Sequence, residues 1–151
     1  MIPEQNCKVV GITPPAAIVD GAAYTTAELD TLGFDYCQIW VYLGAIDDAM
    51  DVLQVTESDT TGSGHVAVTG LVFGTSTNID GSTSALPSKT DDNKFYCFDI
   101  DLRGRKRYLD LNATAGDGTN GTYMAAWAVL WRAGEAPITS AGRGCDVVVA
   151  V

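Results

Sequence analysis

FYCFDIDLRGRKRYLDLNATAGDGTNGTYMAAWAVLWRAGEAP, residues Phe95–Pro137, decides the fold. It reads as three long β-strands separated by turns. In the first, Phe95–Leu102, side chains alternate between Tyr96, Phe98, Ile100 and Leu102 on one face and Phe95, Cys97, Asp99 and Asp101 on the other, the period of a half-buried strand. After the turn Arg103-Gly104-Arg105-Lys106, a second strand over Arg107–Thr114 places Leu109, Leu111 and Ala113 inward. The wide turn Gly116–Gly121 leads into Thr122–Trp131, which is apolar on both faces and so predicts a central strand covered on both sides, with Trp127 and Trp131 in the core.

Working outward, Phe34–Leu43 alternates as well. Cys37, Ile39, Val41 and Leu43 fall on one face and Tyr36, Gln38, Trp40 and Tyr42 on the other. Asp47-Asp48 marks a turn before a strand over Val52–Glu57, and His65–Phe73 predicts a further strand weakened by Gly70. Residues 1–30, broken by Pro3, Pro14 and Pro15, read as an irregular arm with short edge strands at Val9–Ile12 and Ala16–Val19. The polar run Gly74–Asn93 is long for a connection in a compact domain and predicts an exposed functional or mobile loop. A last strand is expected over Cys145–Val151. About eight strands at this spacing, without convincing helices, predict one all-β domain over 31–151, an antiparallel β-sandwich or jelly roll.

Composition agrees. The 151 residues are 46% hydrophobic, enough for a core, and 16 glycines accompany abundant Thr, Ser, Asp and Val. A formal net charge of −10 disfavours nucleic acid and anionic membranes as partners. Met1–Asn6 has neither a basic nor an apolar signal region, and no stretch approaches the ~20 apolar residues of a membrane span. Cys7, Cys37, Cys97 and Cys145 lack CxxC spacing and are expected as free thiols in a reducing cytosol.

Reactive constellations are weak. His65 is the single histidine, lies after Gly64 at the head of a strand, and has no nucleophile elbow with it. Asp91-Asp92, Asp99, Asp101 and Asp117 are candidate calcium ligands or paired carboxylates, yet no DxDxDG loop is present. Cross-strand pairing with the neighbouring cations explains Asp99 and Asp101 without a metal. The glycines of 116–121 resemble a phosphate cradle but lack the Lys-Ser/Thr ending and a following helix. The residues therefore predict no enzyme, no cofactor and no metal site.

Two surface features remain. Arg103, Arg105, Lys106 and Arg107 gather four of nine cations into five positions. They serve either as partners of nearby acids or as a contact for an acidic protein surface. Tyr36, Trp40 and Tyr42, opposite the aliphatic core face, require a cover: a second internal layer, another subunit, or a stacked sugar.

Phe98-Asp99-Ile100-Asp101-Leu102-Arg103-Gly104-Arg105-Lys106-Arg107-Tyr108-Leu109, then Ala115–Thr119, then the apolar strand ending Arg132–Pro137, with Asp30–Tyr36 and Val55–Asp59 earlier, is similar to small virion proteins encoded near the major capsid gene of tailed bacteriophages and prophages. The resemblance spans roughly residues 19–144. It implies a structural role on the head surface as a decoration (cement) protein, made in the bacterial cytoplasm, with the major capsid protein and its own copies, as a homotrimer, for partners. A tail or neck component and a carbohydrate-binding host-adhesion module are the alternatives. On the decoration reading, Tyr36, Trp40 and Tyr42 form the subunit interface, and Arg103, Arg105, Lys106 and Arg107, with the N-terminal arm, dock on the capsid.

Overall fold

A computed structural model describes residues 6–134 and 139–149. Eight strands form two four-stranded sheets: β1 (Cys7–Thr13), β2 (Leu29–Asp30), β3 (Tyr36–Leu43), β4 (Val52–Ser58), β5 (Val66–Val72), β6 (Phe95–Asp101), β7 (Tyr108–Thr114) and β8 (Met124–Trp131), followed by one turn of 3-10 helix at Ala141–Arg143. The first sheet has the order β1-β8-β3-β6 and the second β2-β7-β4-β5. Every strand pair is antiparallel. The pairs β1·β8, β2·β7, β3·β6 and β4·β5 are those of one long ribbon folded back between β4 and β5, and rolling that ribbon adds β3·β8 and β4·β7. This is the jelly-roll form of the sandwich.

Alternation builds the core. Cys37, Ile39, Val41 and Leu43 of β3 are fully buried, as are Ala128 and Leu130 of β8, and they meet Leu53 and Val55 of β4 and Leu109, Leu111 and Ala113 of β7. Burial of each such Leu, Ile or Val stabilises by about 1.5–3 kcal/mol. Residues 6–30, read as an irregular arm, supply an edge strand to each sheet: β1 pairs with β8 and β2 with β7. Ala16–Val19 forms no strand; Val19 makes a single bridge to Thr122.

Two expectations are corrected. Trp127 and Trp131 are not core residues, because β8 turns Met124, Ala126, Ala128 and Leu130 inward and leaves Ala125, Trp127, Val129 and Trp131 half-exposed. No strand forms over 145–149, while 150–151 lie outside the described residues. The run 74–93 is irregular and mostly exposed, with local ties along it. Thr77 bridges Thr83, Asn78 Oδ1 accepts from the amides of Asp80 and Ser82, and the Pro87 carbonyl accepts from Met50 N at 3.0 Å.

Candidate interaction face

The two outer faces of the sandwich differ in chemistry. The second sheet presents Gln54 of β4 beside Asp110, Asn112 and Thr114 of β7, with the buried Thr56 between them, a polar surface. On the first sheet, register places Tyr36 opposite Trp131, Trp40 opposite Trp127, and Tyr42 opposite Phe95. Phe95 is the centre of the resulting cluster. It stacks on Tyr42 with centroids 4.3 Å apart and meets Trp40 and Trp127 edge-on, each at 6.3 Å. Phe95 is 58% exposed and Tyr42 37%. No second layer from the described residues covers these four rings, so they form an apolar patch with polar tips, the composition of an interface core.

The stripe ends in charge. Tyr36 lies between two guanidinium groups, with Arg103 5.3 Å and Arg132 5.6 Å from its ring centroid, within cation–π range. Arg103 grips Asp101 in bidentate fashion, Nε to Oδ1 at 2.9 Å and Nη2 to Oδ2 at 2.6 Å. That hydrogen-bonded pairing pulls the Asp101 carboxyl down to about 2 and raises the Arg103 guanidinium. Beside Trp40, Gln38 Nε2 donates to Asp99 Oδ1 at 2.8 Å, and burial, then the neighbouring Asp99 charge, pushes the Cys97 thiol up to about 11. The two groups singled out in the sequence, the aromatic residues of β3 and the basic turn, thus meet at Tyr36 and Arg103.

The rest of the basic turn faces elsewhere. Arg107 makes a second bidentate pair, Nε to Asp30 Oδ1 at 2.8 Å and Nη2 to Oδ2 at 2.7 Å, which holds the Asp30 carboxyl below its usual range. Arg105 reaches Glu57 at 3.7 Å, and the half-buried Lys106 donates its amide to Glu57 Oε2 at 3.2 Å. Arg103, Arg105 and Arg107 are therefore each paired with an acid, and Lys106 is held through its backbone amide.

The other candidates resolve into structural roles. His65 is tucked in rather than open to solvent, 17% exposed at its side chain, with Nε2 3.0 Å from Glu28 Oε2 but not aligned as a hydrogen bond. Glu28 accepts from Thr61 Oγ1 at 2.6 Å and from Gly62 N at 2.8 Å, and these bonds hold its carboxyl below the ordinary value while clasping the 58–65 loop. Asp91 accepts from Ser88 N, Ser88 Oγ and Lys94 Nζ, and Asp92 from Ile46 N. Asp47, which the sequence marked only as a turn, takes the amides of Thr119 and Asn120 into its carboxylate and so fixes the 116–121 turn. Among the described residues no group of three or more His, Cys, Asp or Glu is placed to hold a metal ion, and no helix is long and apolar enough to cross a membrane.

The chain matches no protein-family model, no curated protein and no solved structure. Phe95, Trp127, Trp131 and Arg132 are the parts of this face that residue-by-residue reading did not assign to it. The alternation of β6 already turned Phe95 outward; only the strand register puts it against Tyr42.

Proposed function

We propose that the protein is a structural component of a tailed-bacteriophage particle, a decoration (cement) protein that binds the head lattice and holds it together without making or breaking a bond. The observation that carries the reading is the aromatic face of Trp40, Tyr42, Phe95 and Trp127 on a rigid jelly roll. A scaffold of this kind serves contact. The sequence resemblance supplies the particle.

The mechanism is additive. A lattice strained from within fails where neighbouring subunits part. A symmetric oligomer seated over such a junction grips several subunits at once, and weak linked contacts multiply into high avidity. Binding the expanded lattice in preference to its precursor stabilises it by mass action. On this reading Tyr36, Trp40 and Tyr42 face a sister copy in a homotrimer, while Arg103, Arg105, Lys106 and Arg107 dock on the major capsid protein.

The test is co-sedimentation with filled heads and the stoichiometry of what binds. A copy number comparable to that of the capsid subunits supports decoration. A small fixed number per particle assigns the protein to the neck or tail, and no binding removes the reading. One observation favours a second function: Trp40 beside the Gln38–Asp99 hydrogen bond is also a platform on which a sugar ring stacks with a polar edge contact. Specific binding on a glycan array, with no affinity for heads, would establish that host-adhesion role.

A further inference from the structure

The segment Asp146-Val147-Val148-Val149 has the composition of a strand and no strand partner. β-Branched residues of this kind pack on a pleated surface, yet all four residues are exposed, Val147 76% and Val149 89%. Its preceding residues are anchored. Gly144 lies against the rim of β1, where a Cβ would come within 1.7 Å of the Val9 carbonyl oxygen. Cys145 N donates to Ser140 O at 3.0 Å. Within the segment itself Val148 N donates to Ser140 Oγ at 3.1 Å, a single side-chain bond that strand pairing would exchange for a ladder bond.

The opposite rim of the same sheet is open. Leu43 N donates to Lys94 O and Leu102 N to Asp35 O, so both ends of the β3·β6 ladder are hydrogen-bonded pairs. In an antiparallel ladder such pairs alternate with non-bonded ones. Tyr96, Phe98 and Ile100 therefore bond β3, and the amides and carbonyls of Phe95, Cys97 and Asp99 point away from it. Outside β6 lies a cleft of about 360 Å³ toward β5, lined by Leu71, Phe73, Ile79, Tyr96 and Phe98. It offers an incoming strand what β-augmentation requires, a row of free backbone groups and a pocket for alternate side chains.

The segment cannot reach this rim in its own molecule. β1 and β6 are three strand spacings apart, about 14 Å. From Gly144, anchored on β1, Asp146 lies at most ~7 Å away and Val149 at most ~17 Å, so Asp146–Val149 cannot lie along β6 of the same molecule. A second copy removes the constraint. We propose that Asp146–Val149 of one copy adds as a strand to the free edge of β6 in a neighbouring copy, with alternate valines seated in the β5–β6 cleft. The contact joins two different surfaces, so it closes into a ring where the rotation between copies permits. It needs no phage particle, and of the aromatic face it touches only Phe95, at the β6 edge.

The test follows amide hydrogen exchange and sedimentation of the full chain over rising protein concentration, in the wild type and in the V147D/V149D variant, whose substitutions fall at exposed positions. The expected result is that Phe95, Cys97 and Asp99 amides slow tenfold or more as the wild type associates, while the variant keeps fast exchange and stays smaller. Concentration-independent exchange at those amides, or a variant that associates as the wild type does, overturns the proposal. A Trp40→Asp variant run alongside separates the two surfaces: association lost there but retained in V147D/V149D counts for the aromatic interface and against strand addition.

Discussion

Tyr42 and Phe95 stack with ring centroids 4.3 Å apart and planes 18° apart on the outer surface of the first sheet. They occupy a non-hydrogen-bonded position of the β3·β6 ladder, where facing side chains come closest. The pair is therefore a product of register, and it sits where solvent reaches both rings.

Location makes neighbouring residues respond oppositely to truncation. Ile39 is fully buried, and Ile39→Ala should cost about 2–5 kcal/mol through the cavity it leaves. Phe95→Ala removes a largely exposed ring and should cost only about 0.5–1.5 kcal/mol, the value of an aromatic pair. Urea denaturation of both variants checks the contrast. In association the order should reverse, with Phe95→Ala and Trp40→Asp weakening self-contact while Ile39→Ala leaves it intact in the folded fraction. A Trp40→Asp protein that sediments as the same oligomer would remove the interface assignment.

Acid should loosen the basic turn before anything in the neutral range does. The Asp101 carboxyl is depressed from its ordinary 3.8 to about 2 by the Arg103 hydrogen bonds, and Asp30 is lowered by Arg107. A carboxyl depressed by folding contributes stability that is fully present above its unfolded value and is lost as pH falls through the folded one. These groups therefore add no pH dependence between 5 and 8; the Asp101 contribution fades between 3.8 and about 2, and that of Asp30 fades below its ordinary carboxyl range. Chemical-shift titration of the two side chains, with thermal melts across that range, measures it. A melting temperature that falls steeply between pH 7 and 5 would contradict the argument.

Gly144 tests whether the 139–149 segment is held against β1. Its φ is +77°, a conformation that costs a residue with a Cβ about 1–2 kcal/mol, and its neighbour there is backbone that cannot rotate away. Gly33 has a similar φ of +89° with open space around it. Gly144→Ala should release the segment and speed its proteolysis at least ~10-fold, with the sandwich still folded, because local openings are drawn from weakly anchored regions. Gly33→Ala should show the conformational cost alone. Equal protease resistance in Gly144→Ala and wild type would refute the docked arrangement.

Strands were legible where one face is aliphatic and the other is not. β3, β6 and β7 follow from alternation, and Cys37, Ile39, Val41, Leu109 and Leu111 are buried as their period requires. β8 misled because apolarity on both faces says that something covers each face without saying what. Trp127 and Trp131 look the same in sequence whether an internal layer or another molecule lies over them. β2 has only two residues, below any periodic signal. The valines of 145–149 illustrate the converse: strand propensity is a property of the segment, whereas pairing needs a free edge within reach. The basic turn was readable as a cluster, but its division between Tyr36 on one side and Asp30 and Glu57 on the other depends on the path of the chain between sheets.

That division sets the outcome of charge reversal. Arg103 pairs with Asp101 in water-exposed geometry, where ion pairs contribute little to stability, whereas Arg105 meets a Glu57 side chain that is only 17% exposed. The Arg103→Glu, Arg105→Glu double variant should keep the fold, with a urea midpoint lowered by repulsion between the new carboxylate at position 105 and Glu57 and matched by Arg105→Glu alone, while binding to heads falls more than ~10-fold because the loss repeats at every linked contact. Added salt should weaken the wild type's binding and have little effect on the variant's. Arg103 also caps the aromatic stripe through Tyr36, so a single Arg103→Lys substitution, which keeps charge but loses the bidentate planar contact, should fall between the two. Undiminished binding by the double variant at physiological salt would mean that the capsid, if it is the partner, is met by another surface.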